Sequence, residues 1–249
     1  MQYQALRKTA SSKLTLFAAI SMLLLVLASP VQVWSYMGSS FTSVPVPSYM
    51  LPYLKTTVII VMLPMLGVMA LPVIGLFLIY ANARSDRPLK TAGYTIVRGY
   101  MIATIVFSSI LLIISVPTGS TSYRSISTFF SVLLELLIAV MAVSALKTAK
   151  EVVTTGSTFR RIPDFLPVAL ITSFCVSAAE LVISILANTV PSLVEALPEY
   201  RIDSAAEYYT MIAYAAIGLV SSFLFILLCF RGRTVFLQQR EITVDPIEE

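Results

Sequence analysis

Histidine is absent from all 249 residues of the sequence. Without it, haem ligation by histidine pairs and histidine-based copper, zinc or iron sites are excluded. The same absence excludes hydrolases built on a Ser-His-Asp or Cys-His arrangement. The two cysteines, Cys175 and Cys229, lie in separate apolar segments, and no disulfide is expected between them. We therefore expect no metal centre, no cofactor and no catalytic residues, and interpret the protein as a non-enzyme.

Charged residues are also scarce. They make up 12% of the chain, whereas soluble domains usually carry about 25%. No glycine-rich phosphate loop occurs, and the loops are too short to build a nucleotide-binding fold. The motifs of aquaporins, potassium channels, mitochondrial carriers and rhomboid proteases are missing as well. These absences exclude most recognisable soluble and membrane activities. The sequence contains no catalytic or substrate-specific motif.

The apolar residues are concentrated in six long uninterrupted segments. A helix needs about 20 apolar residues to cross the hydrocarbon layer of a bilayer, where only helices and closed barrels satisfy every backbone polar group. The predicted spans are 14–36, 56–81, 92–116, 126–147, 164–188 and 207–230. The sequence therefore predicts an all-α membrane protein, with one six-helix transmembrane domain over 1–230 and a cytoplasmic tail over 231–249.

Lysine and arginine are distributed unevenly between the two sides of the predicted bundle. Basic residues accumulate in the parts of a membrane protein that stay in the cytoplasm. Thirteen of the 17 fall on the side of the termini, three on the other side, and Arg98 falls within a span. The thirteen are Arg7, Lys8, Lys13, Arg84, Arg87, Lys90, Lys147, Lys150, Arg160, Arg161, Arg231, Arg233 and Arg240. Both termini are therefore predicted to be cytoplasmic, and the net charge of +4 is an orientation signal, with no nucleic-acid patch.

Three ionisable residues lie inside predicted spans, where such residues are rare and mark function or a specific pairing. Glu135 is near the centre of the fourth span, and Glu180 is about one turn outward of the centre of the fifth. Arg98 lies about five residues, or ~8 Å, inward of the centre of the third span. The two carboxylates are therefore expected at similar depths on helices that follow each other in the chain.

Small and polar residues flank both glutamates at helical spacing, which predicts that both face protein. The residues on the two helices are Ser131, Ala139 and Ala142 on one, and Ala169, Ser173, Ser177 and Ser184 on the other. Two interpretations stay open. Glu135 and Glu180 form a proton- or cation-handling pair, or Glu135 pairs with Arg98 to fix helix register while Glu180 is neutral or hydrogen-bonded.

The second predicted span contains an internal repeat. Leu-Pro-Met-Leu-Gly at 63–67 recurs as Leu-Pro-Val-Ile-Gly at 71–75. A proline removes a backbone donor and displaces the carbonyl four residues earlier, so bends are predicted at Pro64 with Gly67 and at Pro72 with Gly75. Such bends either form a hinge, as in transporters with broken helices, or shape helix packing.

Two functions follow from these features. The first is a non-enzymatic integral membrane subunit of a larger membrane protein assembly. The second is a small transporter or channel that moves protons, cations or a small solute through a site near Glu135, Glu180 and Arg98. The expected partners are the lipid bilayer and other membrane protein subunits, or further copies of this chain, without nucleic acid. The expected location is the cell (plasma) membrane.

Overall fold

The long apolar segments form long helices, as their composition requires. The computed structural model describes residues 2–43, 51–114, 123–158, 160–197, 200–202 and 204–244, and in these the only regular elements are helical. In chain order they are α1 (Gln2–Ala10), α2 (Lys13–Ser43), α3 (Leu51–Arg84), α4 (Ala92–Ile114), α5 (Tyr123–Thr155), α6 (Leu166–Thr189), α7 (Pro191–Ala196) and α8 (Ala205–Val244). The all-helical fold class predicted from the sequence is confirmed.

Six of these helices are long and apolar enough to cross a membrane. The candidate spans are Lys13–Val33, Met62–Arg84, Ala92–Ile113, Ile126–Thr155, Leu166–Thr189 and Ala205–Arg233. Each overlaps one of the six segments predicted from the sequence. Cys175 and Cys229 are both free. The chain is therefore an integral membrane protein, and the cytoplasmic placement of its termini stays a prediction.

The helices are grouped in two compact units. Unit 1 comprises Met1–Ile20, Leu71–Phe174 and Ser222–Glu249, and unit 2 comprises Ser21–Ala70 and Cys175–Ser221. In unit 1, α4 packs along α5, and α1 packs on α5. In unit 2, the Ser21 hydroxyl of α2 donates a hydrogen bond to the Ser221 hydroxyl of α8 at 3.2 Å. The single transmembrane domain predicted over 1–230 stays untested as a folding unit.

The short helix α1 was not predicted, because its nine residues carry too few apolar side chains to resemble a span. Its buried residues are Ala5, Leu6, Thr9 and Ala10, which follow each other on one side of a helix. Two turn residues separate it from α2, and the Ser12 hydroxyl accepts a hydrogen bond at 3.4 Å from the Thr15 backbone N–H, as a helix N-cap does. The chain thus enters its first span after a separate amphipathic helix.

Polar side chains fasten α1 to neighbouring segments of unit 1. The Arg7 guanidinium donates to the backbone carbonyl of Ala83 at 3.1 Å and also to that of Ser85, where α3 ends. Gln2 forms a two-way pair with the backbone of Thr158, at 2.7 Å from the Thr158 N–H and 3.4 Å to its carbonyl. These bonds satisfy backbone groups left open at a helix end and in a loop.

The last helix is longer than the sequence-based expectation. The last predicted span ends at 230 and a separate tail was expected, but α8 continues to Val244. Once a helix exists, adding residues to its end costs little, and Leu, Gln, Arg and Glu in the extension favour helix. The remaining five residues of the predicted tail, 245–249, lie outside the described residues. The short helix α7 begins at Pro191, because proline suits the first position of a helix.

In unit 2, one asparagine holds the loop before α8. The Asn188 side-chain amide donates to the Tyr200 carbonyl at 2.8 Å, and its oxygen accepts from the Ile202 N–H at 2.8 Å. Tyr200 is buried, with 8% of its surface exposed. The end of α6 and the loop that leads into α8 are therefore joined by these two hydrogen bonds, called here the Asn188 clasp.

Candidate functional site

Glu135 lies on α5 at the rim of its contact with α4. One turn further along α5, Ala139 is almost fully buried, with 1% of its surface exposed. The α4 residue beside the Glu135 carboxylate is Ser108, which is likewise 1% exposed. Glu135 itself is exposed. The Ser108 hydroxyl donates a hydrogen bond to the Glu135 carboxylate, so one side of this glutamate meets α4 while the rest of the side chain extends past the edge of the contact, where the smaller Ala139 is the buried residue. Whether the exposed side also faces protein stays a prediction.

Arg98 does not pair with Glu135. Ion pairs between described residues include Arg160 with Glu151 at 3.4 Å and Arg233 with Asp164 at 3.1 Å, and no pair joins Arg98 to Glu135. The reason is position along α4. Ten residues separate Arg98 from Ser108, the residue that Glu135 approaches, and this is ~15 Å of helix axis. The register-fixing interpretation depended on an ion pair between Arg98 and Glu135, and the structure does not form that pair.

Glu180 belongs to a different compact unit from the other two candidates. It lies on the part of α6 assigned to unit 2, whereas Glu135 and Arg98 lie in unit 1. Its side chain is half-buried and takes part in an interaction of its own. The predicted pairing of Glu135 with Glu180 stays a prediction.

The repeat in α3 places its two halves in different surroundings. α3 is a continuous helix from Leu51 to Arg84, through both prolines. Pro72 is fully buried, whereas Pro64 is exposed. A Cβ at Gly67 would meet no described atom within 4 Å, but one at Gly75 would lie 2.4 Å from the Val97 Cγ2 of α4. Gly75 therefore permits close packing, and whether the helix also bends at these positions stays a prediction.

Gly93 is the counterpart of Gly75 on α4, and sequence reasoning missed it. A Cβ there would lie 2.7 Å from the Gly75 carbonyl oxygen and 2.9 Å from the Ile79 backbone nitrogen. Backbone thus meets backbone where α3 and α4 cross, as in other membrane helix contacts that depend on small residues. The signal was present, because Gly93 is a glycine at the start of a predicted span, but its partner in another helix was not identifiable from spacing.

The described pocket in unit 2 is apolar. It has a volume of about 390 Å³ and is lined by Pro30, Val31, Ile59, Met62, Leu63 and Leu66. Such a lining suits hydrocarbon and offers no ligand for an ion. Among the described residues, no group of three Cys, Asp or Glu side chains is arranged to hold a metal ion.

No protein-family model, curated protein or solved structure matches this chain. Two ionisable groups on candidate membrane helices stand out among the described residues. Glu135 presents an exposed carboxylate on α5, and Arg98 on α4 has no partner among those residues.

Proposed function

We propose that this protein is a non-enzymatic integral membrane subunit of a larger membrane protein assembly. The observation that carries the proposal is the exposed Glu135 on α5. An ionisable side chain at the centre of a membrane helix costs about 3 kcal/mol on insertion scales. Hydrocarbon offers nothing to offset that cost, whereas a hydrogen-bond donor on a neighbouring helix does. Ser108 of α4 supplies one such donor, and a partner helix on the exposed side of Glu135 supplies donors for the remaining acceptor positions of the carboxylate.

The low burial of the candidate spans supports the same proposal. Within this chain, 28% of the most apolar window is buried in α2 and α3, 11% in α4, α5 and α8, and none in α6. Lipid accounts for exposed apolar side chains, but not for an exposed carboxylate among them. The combination favours a subunit whose helices complete their contacts in a complex.

The test is affinity purification from native membranes in mild detergent, with mass spectrometry of the proteins that co-elute. We expect a fixed set of partners at integer stoichiometry. Glu135→Leu should reduce their recovery about tenfold, the effect of losing a charge-assisted hydrogen bond, and Glu135→Gln should retain part of it. Leu137→Ala is the matched control, because Leu137 is 48% exposed on a different side of α5. Elution of the wild-type protein alone would overturn the proposal.

The exposed carboxylate also suits the alternative function, a small transporter or channel that uses Glu135, Glu180 and Arg98. That hypothesis makes a separate prediction. In proteoliposomes, Glu135→Gln or Glu180→Gln should abolish pH- or cation-dependent flux while the protein stays folded. Flux that survives in both variants would remove the transport hypothesis, and flux that is lost in a protein without partners would replace the subunit proposal.

A further inference from the structure

Arg98 is an arginine inside a candidate span that has no counter-charge among the residues that the structure describes. Its side chain is half-buried, and its Nε is buried without a hydrogen-bond partner among the described residues. Neither the Arg160–Glu151 pair nor the Arg233–Asp164 pair includes it. A guanidinium in such a position normally pairs with an anion, because an isolated charge in the membrane is costly. The described part of the chain supplies no such anion, so a ligand or partner is the candidate source.

The position of Arg98 along α4 indicates where that anion lies. Arg98 is six residues after Ala92, where the candidate span begins, or ~9 Å along the axis. Half of a hydrocarbon core is about 15 Å. Side chains on a helix lean toward its N-terminus, and long basic side chains extend to the nearest headgroups. The guanidinium is therefore directed from within the hydrocarbon layer toward the membrane surface at which α4 begins.

The same side of α4 continues as an exposed apolar row. Ile102, Val106 and Ile110 follow Arg98 at intervals of four residues, and they are 45%, 57% and 50% exposed. Residues at this spacing lie on one side of a helix. Beside Arg98, Gly99 leaves the surface open, since a Cβ there would meet no described atom within 4 Å. A positive charge at one end of an apolar row is a surface complementary to the phosphate and acyl chains of a phospholipid.

The chemistry of the Arg98 side chain decides the sign of the ligand. A guanidinium is positively charged and only donates hydrogen bonds. It therefore requires an acceptor with negative charge. A phosphodiester supplies two acceptor oxygens and one negative charge, which the guanidinium fork matches.

We infer that Arg98 and the exposed row of Ile102, Val106 and Ile110 form a binding site for a single phospholipid, with the lipid phosphate on the guanidinium. The apolar row favours a lipid over a free phosphate or over a carboxylate from a partner protein, neither of which would cover it. The inference does not depend on the proposed role as a subunit.

The experiment is native mass spectrometry of delipidated protein in detergent, titrated with phosphatidylglycerol. Arg98→Gln should weaken binding of the first lipid about tenfold or more, as expected for the loss of a charge-assisted hydrogen bond. The lipid affinity of Arg98→Lys should lie between those of the wild type and Arg98→Gln, because lysine keeps the charge and loses the bidentate geometry. Arg87→Gln is the matched control. It removes the same charge from an exposed position just before α4, and it should change the affinity by less than about twofold.

Three further arms separate the sources of the ligand. Diacylglycerol, which has the chains but no phosphate, should bind the wild-type protein and Arg98→Gln equally. Inorganic phosphate at millimolar concentration should not displace the lipid, and displacement would assign the site to a free anion. In a third outcome, Arg98→Gln lowers the recovery of a co-purifying protein while lipid affinity stays constant. That result would assign the site to a partner's carboxylate.

Equal lipid affinity in wild type, Arg98→Gln and Arg98→Lys, or an equal loss in Arg87→Gln, would overturn the inference. Arg98→Lys keeps the test valid if Arg98→Gln fails to fold.

Discussion

Replacement of Gly93 by alanine tests the close crossing of α3 and α4 most directly. The added Cβ would lie 2.7 Å from the Gly75 carbonyl oxygen, 2.7 Å from Ile79 Cγ1 and 2.9 Å from the Ile79 backbone nitrogen. A side-chain atom can rotate away, but the two backbone atoms belong to α3 and move only with it. Gly93→Ala therefore forces the two helices apart.

The expected cost is that of overpacking, about 1–3 kcal/mol, with backbone contact placing it toward the upper end. Gly67→Ala is the matched control, because Gly67 occupies the same position of the repeat as Gly75 and a Cβ there would have open space. In a helix interior, alanine is more stable than glycine by roughly 0.5–1 kcal/mol. The two variants should therefore differ in unfolding free energy by about 2–4 kcal/mol, with opposite signs relative to the wild type.

The assay is unfolding in detergent micelles, followed by the helical circular dichroism signal during titration with SDS. Gly75→Ala provides a second, milder test. Its Cβ would first meet Val97 Cγ2 at 2.4 Å and then the Gly93 carbonyl oxygen at 3.1 Å. Adding Val97→Ala should recover part of its loss, because the nearest atom is removed, and a double-mutant cycle measures this coupling. Gly93→Ala and Gly67→Ala variants of equal stability would refute the crossing.

The remaining predictions concern polar contacts that fasten short segments. Arg7→Ala should free α1 from the end of α3, at a local cost of about 1.5–3 kcal/mol, and amide hydrogen exchange in α1 should accelerate. Lys8→Ala, which alters an exposed neighbour, should leave that exchange unchanged, and the same result for Arg7→Ala would contradict the fastening role. Asn188→Ala should remove two hydrogen bonds to the loop before α8 and cost about 1–3 kcal/mol. Trypsin should then cut faster after Arg201, and an unaltered cleavage rate would argue against the clasp.

Most of the helical architecture was predictable because it depends on local composition. A run of about 20 apolar residues forms a spanning helix whatever its neighbours are, since no other structure satisfies the backbone in hydrocarbon. The start of α7 was predictable for a similar local reason, because proline at 191 suits the first position of a helix. By contrast, α1 and the extension of α8 lack a long apolar run and depend on helix propagation and on contacts made by side chains such as Arg7.

The candidate site was predictable as a set of residues, but not as an arrangement. Composition identified Glu135, Glu180 and Arg98, because ionisable residues stand out in apolar spans. The distances between these three side chains depend on how each helix is rotated and how far it is shifted along its axis. No local pattern in a single sequence encodes either. The offset of ~15 Å along α4 separates Arg98 from the level of Glu135. Likewise, the repeat in α3 has Leu, Pro and Gly at the same places in both copies, yet among the described residues Gly75 meets another helix and Gly67 does not.

The sequence alone thus determined that this chain lies in a membrane with six helical spans, because the bilayer imposes length and polarity on each segment separately. It also determined, through the absence of histidine, which chemistries are excluded. Only the tertiary structure decided that Gly75 and Gly93 cross backbone to backbone, that Glu135 is exposed at the rim of the α4–α5 contact, and that Arg98 lacks a partner in the described chain. Each of these depends on which faces of two helices meet, and that is set by packing between segments distant in sequence.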